Sequence, residues 1–193
     1  MYNSIMTSRE RLIQSAGELL WERGYVGTSP RAIQQRSGAG QGSMYHHFSG
    51  KMELAQEAIR RSAEELRAQA EAMLAGPGTA TDRISRYLLR ERDALRGCRL
   101  GRLAQDPEII ASPELRQPLD EAFDWLRIRL AAVLTEGQVE GELDPDLDVT
   151  DTATTLAAVL QGGYVLARAA DSDDPFRRSI RGALGMLAHC ARG

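Results

Sequence analysis

Residues 28–48 read Thr28-Ser29-Pro30-Arg31-Ala32-Ile33-Gln34-Gln35-Arg36-Ser37-Gly38-Ala39-Gly40-Gln41-Gly42-Ser43-Met44-Tyr45-His46-His47-Phe48. Thr28 and Ser29 are helix-capping residue types, and Pro30 follows them at a favoured first-turn position, so a short helix is expected over 30–36. Gly38-Ala39-Gly40 breaks the chain, and a second short helix is expected over 41–47. Two short helices joined by a glycine-containing turn form the geometry that lays the second helix in a DNA major groove. Ile33 supplies the buried contact of the first helix, and Met44 and Phe48 anchor the second. Gln41, Ser43, Tyr45, His46 and His47 are left on or near the exposed side, with polar groups of short reach suited to base edges and phosphates. Gly42 has no Cβ and lets backbone approach DNA closely. Helix N-termini near Thr28 or Ser29, Gln41 and Lys51 favour phosphate.

Outward from this stretch the chain is helical in period. Leu12, Ile13, Ala16, Leu19 and Leu20 share one face of a helix over 8–23, with Ser8 as the expected N-cap and Gly24 as a left-handed stop. Ser49 precedes a long helix over 51–74. Gly76-Pro77-Gly78 is the clearest breaker. Further helices are expected over 79–96, 113–140, 148–170 and 174–191, with a shorter turn near 100–105. Strand-like alternation is absent, so the fold class is all-α. The expected organisation is a three-helix helix-turn-helix DNA-binding domain at 1–50 and a helical-bundle ligand-binding and dimerisation domain at 51–193. Residues 51–75 form the connecting helix.

Composition excludes several classes. Hydrophobic residues make up 42% of the 193 and charged residues 26%, the balance of an ordinary water-soluble protein. Met1 to Thr7 lacks the apolar run of a signal peptide. The most apolar stretch, 153–167, is interrupted by threonines, Gln161 and two glycines and falls short of a membrane span. Cys98 and Cys190 lack metal or redox spacing and read as reduced thiols in a cytoplasmic protein. His46 and His47 are helix neighbours about 100° apart, and only His189 remains elsewhere, so no metal site is expected. Net charge is −3, yet residues 1–55 carry six basic and four acidic side chains, against 18 and 23 in the remainder. The basic end coincides with the expected DNA reader.

The run from Arg9 through Leu54 resembles the TetR family of bacterial transcriptional regulators. Ala16, Leu19 and Gly24-Tyr25 carry the likeness first, then Thr28-Ser29 with Ile33, and Ser37-Gly38. Gly42-Ser43-Met44-Tyr45-His46-His47-Phe48, followed by Lys51 and Leu54, completes it. The resemblance implies a homodimer on an operator in double-stranded DNA, usually paired through its last two helices. It implies phosphate contacts from Thr28 and Tyr45, with Ser29 beside them, and base-facing positions at Gln41, Gly42 and Ser43. It also implies backbone contacts from His46 and Lys51, with Arg31 near the groove. Two positions depart from the family pattern. Gly40 stands where a capping serine or threonine is usual, and Gln41 where lysine is common.

In the body, 151–170 is apolar nearly all round, which buries a helix on more than one side. The extra face is expected to meet a partner subunit. The expected interface is Leu156, Leu160, Gly163, Tyr164 and Ala167 with Phe176, Ile180, Leu184 and Leu187. A small-molecule effector is expected between the helices, near Met73, Tyr87, Arg90, Cys98, Leu103, Phe123, Trp125, Leu126 and Tyr164. The reading is a repressor released from its operator by that effector, with no cofactor and no enzymatic activity. Two rivals stand beside it. One is a DNA-binding regulator controlled by a protein partner. The other is an all-helical enzyme, for which no nucleophile–base pair, metal constellation or phosphate loop is found.

Overall fold

The computed structural model describes residues 6–190, and among them every regular element is a helix. These are α1 (Ser8–Arg23), α2 (Pro30–Ser37), α3 (Gln41–His47), α4 (Lys51–Leu74), α5 (Ala80–Leu89), α6 (Arg99–Leu103), α7 (Pro107–Ala111), α8 (Pro113–Val139), α9 (Val149–Ala170) and α10 (Asp174–His189). The Met1–Thr7 expectation falls largely outside the described residues.

Local chemistry fixes the ends. The cap of α1 is Thr7, one residue before the expected Ser8. Thr7 Oγ1 accepts from Glu10 N at 3.2 Å and Thr7 N donates to Glu10 Oε2 at 2.7 Å. The reciprocal bond needs a carboxylate at the third helical position, which Glu10 supplies and Arg11 cannot. Gly24 stops α1 with φ 72° and ψ −176°, a positive-φ turn rather than the left-handed helical cap expected. Helix α5 ends at Leu89, seven residues short of expectation. The Arg92 guanidinium reaches back to the carbonyls of Tyr87 (2.6 Å), Leu88 (2.7 Å) and Arg90 (3.0 Å) and closes the helix end with positive charge. Pro118 is accommodated inside α8. It cannot donate to Glu114 O, and Gln56 Nε2 donates to that carbonyl instead, at 3.0 Å.

The chain forms two compact units, residues 1–65 with 99–121, and residues 66–98 with 122–193. The division differs from the expected boundary at 50/51. The first half of α4 belongs with the head because Leu54, Ala55, Ala58 and Ile59 are buried and Glu57 pairs with Arg9 at 2.7 Å. In unit 1, α1 packs against α2, α3 and α6. Its core includes Leu12, Leu19, Leu20, Ile33, Met44 and Phe48, all buried. In unit 2, α10 packs on α9 and α5 around one apolar core that includes Leu74, Ile84, Leu130, Leu156, Leu160 and Ile180. Tyr164 and Phe176 meet there with ring centroids 4.7 Å apart.

Candidate nucleic-acid interface

Ser29 caps α2, accepting from Ala32 N at 3.1 Å, and Gly38 ends that helix in the left-handed region at φ 65°. The turn delivers α3, whose N-cap Gly40 makes no side-chain bond. Met44 and Phe48 are buried and hold α3 from beneath. Gly42, Tyr45 and His46 are exposed, and Ser43 and His47 are partly so. The side chain of Gln41 lies outside the described residues. Tyr45 is 53% exposed, although tyrosine is a residue of intermediate burial tendency. Arg31 is exposed on α2 and forms no ion pair among the described residues. Arg36 is held by Glu22 through two bonds of 2.9 and 2.7 Å, and Arg9 by Glu57. The charge available to phosphate is therefore smaller than the sequence count implies.

Two expected phosphate contacts sit differently. Thr28 is 1% exposed and its hydroxyl donates to Gly24 O at 2.7 Å. It closes the turn after α1 and does not join the exposed surface. Lys51 places its ammonium 3.9 Å from the centroid of the Tyr25 ring. Partial burial pulls its pKa down, while the carboxylates of Asp106 and Glu108 oppose that. Lys51 thus anchors the Gly24–Tyr25 turn as a cation–π partner. Burial also raises the Tyr25 hydroxyl pKa. Tyr25 and Asp106 went unforeseen as site residues. Their link spans 81 positions, beyond the reach of local spacing.

In unit 2, Met73, Tyr87, Arg90, Cys98, Phe123, Trp125, Leu126 and Tyr164 are brought into one compact body, whereas Leu103 is buried in unit 1 and is removed from the set. Tyr87, Leu126 and Tyr164 are core residues, with Met73, Cys98 and Trp125 packed against that core. Arg90 lies 5.6 Å from the Tyr87 ring centroid and Arg92 5.2 Å from it. Burial drives the Tyr87 and Tyr164 hydroxyl pKa values up, so both stay protonated donors. Arg92 was not among the expected residues, because sequence extended α5 through it.

The expected dimer residues are corrected. Leu156, Leu160, Gly163, Tyr164, Ala167, Phe176, Ile180 and Leu187 are buried within this chain, and Leu184 packs against the same core. A Cβ on Gly163 would approach Phe176 Cδ2 to 3.0 Å, so this glycine serves contact between α9 and α10 of one chain. The opposite side of α9 presents Ala158, Gly162, Val165, Leu166 and Ala169, and α10 presents Gly182, Gly185 and Met186. Val165, Leu166 and Met186 are 51%, 52% and 60% exposed. The all-round apolarity is real: one side of α9 lies in the chain's own core, and the other leaves Val165 and Leu166 exposed.

Residues 12–58 match the model of bacterial regulatory proteins of the tetR family, and residues 79–183 match that of the tetracyclin repressor-like C-terminal domain, more than half the chain. The chain belongs to the TetR family. This TetR-family regulator is 27% identical over 176 residues to the HTH-type transcriptional regulator LmrA of Bacillus subtilis, covering 87% of this chain and 90% of LmrA. A TetR transcriptional regulator from Chloroflexus aurantiacus superposes with a TM-score of 0.83 at 26% identity, over 96% of each chain. A cysteine mutant of CifR, solved with a 26-base-pair operator duplex, shares the fold at a TM-score of 0.78 and 23% identity, over 92% of this chain and 95% of that one. The TetR-family chain is a DNA-binding transcriptional regulator whose helix-turn-helix is α2 and α3. No described helix is long and apolar enough to cross a membrane.

Proposed function

We propose that this TetR-family protein represses transcription as a cytoplasmic homodimer, binding a pseudo-palindromic operator and leaving it when a small-molecule effector enters unit 2. The observation that carries the DNA half is the exposed Tyr45–His46 surface of α3 above buried Met44 and Phe48. Ser29, Arg31, Tyr45 and His46 serve the phosphates. Gly42 and Ser43 face the bases, and position 41 precedes them at the start of α3. Thr28 and Lys51 brace the turn that sets the angle of α2. Two recognition helices then enter successive major grooves about 34 Å apart.

Dimerisation is assigned to the outward apolar side of α9 and α10, through Val165, Leu166 and Met186 with the small residues between them. That surface supports a four-helix packing of two copies. Release requires that the effector bind the two states unequally. The match of residues 79–183 to a tetracyclin repressor-like C-terminal domain supports repression. Gel-shift titration of duplexes from around the gene's own promoter tests the reading. A discrete, saturable complex of one dimer per site at physiological salt is expected. Equal affinity for any sequence overturns it.

A further inference from the structure

Unit 2 carries a groove of about 390 Å³ between the segment 88–94 and the first turns of α10. Four arginines line it, Arg90, Arg92, Arg177 and Arg181, against two carboxylates, Glu91 and Asp173. Its apolar lining includes Leu88, Phe176 and Ile180, which are buried. The size lies in the range that suits small ligands.

The arginines are short of acceptors. None of the four forms an ion pair among the described residues; the salt bridge on this turn joins Asp174 to Arg178. Arg92 spends both terminal nitrogens on backbone carbonyls, and Arg90 donates to Gln69 Oε1 at 2.7 Å. The Nε of each is buried and has no hydrogen-bond partner. Both Nε atoms are closed to solvent, so the donors open to a ligand in the groove are the guanidinium ends of Arg90, Arg177 and Arg181. Arg177 and Arg181 are exposed one turn apart on α10 and reach the same groove from its outer side. Positive charge over an apolar floor selects an amphipathic anion.

We propose that this groove binds a small organic anion, a carboxylate with an apolar body, as the effector; the effector role rests on the repressor reading above, whereas the binding does not. The carboxylate sits among Arg90, Arg177 and Arg181, and the apolar body lies along Leu88, Phe176 and Ile180. Arg92 acts as a positioning residue that fixes the end of α5 and hence the segment carrying Arg90.

Calorimetry on the DNA-free full chain tests the groove, with octanoate and benzoate as organic anions, octanol as the neutral counterpart and inorganic phosphate as the anion without an apolar body. At least one of the two carboxylates should bind saturably. It should bind at least about tenfold more tightly than octanol or phosphate, and weaken about tenfold or more in Arg177→Gln/Arg181→Gln. Both positions are exposed, so the fold should survive, as an unchanged melting temperature without ligand would verify. Absent binding by both carboxylates, equal binding of octanol, preference for bare phosphate, or indifference to the double substitution overturns the anion site. The bound carboxylate should also weaken the operator complex in a gel shift, and the double variant should resist that effect. Binding that leaves a demonstrated operator complex untouched overturns the effector role alone. Failure to find any operator complex overturns the repressor reading and leaves the calorimetric result standing.

Discussion

The Asp106 carboxylate accepts a hydrogen bond from the backbone N–H of Tyr25 at 2.7 Å. Asp106 is also the N-cap of α7, accepting from Glu108 N at 3.1 Å and Ile109 N at 3.3 Å. One side chain therefore ties the turn in front of the reader to a segment 81 residues later, inside the same compact unit. Arg99, in that later stretch, adds an ion pair to Glu18 of α1 at 2.6 Å and lies over the Trp21 ring.

Asp106→Ala removes a helix cap, worth about 1 kcal/mol, and leaves the Tyr25 N–H without its acceptor, worth about 1–3 kcal/mol more. Urea unfolding should show a loss of roughly 2–4 kcal/mol. Operator affinity should fall in step, since the turn no longer holds α2. An unchanged midpoint would show that water replaces the carboxylate without cost.

Tyr45→Ala should weaken operator binding roughly tenfold or more, the worth of a hydrogen bond to a charged phosphate. Its stability should barely change, because the side chain is half in solvent. Tyr45→Phe should lose most of the same affinity if the hydroxyl makes the contact. Fluorescence anisotropy with a labelled operator measures both.

The two sides of α9 predict opposite outcomes. Leu156→Ala opens the chain's own core and should cost about 2–5 kcal/mol. Leu166→Glu leaves the core intact and should shift the sedimentation velocity profile from dimer towards single chains. Were Leu166→Glu to remain fully dimeric, the outward face would not be the contact.

Acidification should act through the helix caps. The Glu10 pKa is lowered from 4.5 first by the bond from Thr7 N, and the Glu53 pKa likewise by Ser49 N, at 2.7 Å. A carboxyl whose folded pKa is depressed contributes stability above its unfolded value and loses it as pH falls through the folded value. Glu10→Gln and Glu53→Gln should therefore melt earlier than the parent chain at pH 7. The gap should close as pH drops below 4.5. A gap independent of pH would assign the effect to shape and not to charge.

Much of the reader was legible because it is local. Ser29, Pro30, Gly38, Met44 and Phe48 act on neighbours within a turn or two, and residue type and spacing reveal them. The exposed row of α3 followed from the same periodicity. The intrachain partners of Thr28 and Lys51, Gly24 O and the Tyr25 ring, were not legible because they belong to the turn after α1 and not to the reader. Helix α5 was extended through Arg92 because helical period cannot foresee a guanidinium folding back on its own carbonyls. The expected seam of α9 lies in the chain's own core because a helix apolar all round has almost no directional bias in its sequence. Leu103 was pooled with unit 2 because sequence placed the boundary at one point, while the chain crosses between compact bodies more than once.

Gly24 illustrates how tightly the turn after α1 is specified. Its φ of 72° disfavours any side chain, and a Cβ there would approach Asp106 Oδ2 to 2.7 Å. A larger residue must both twist the main chain against its preference and evict a carboxylate. Trimming position 106 would relieve the crowding and leave the torsion untouched. An exchange at position 106 alone cannot restore both, so it should rescue a Gly24 lesion only in part.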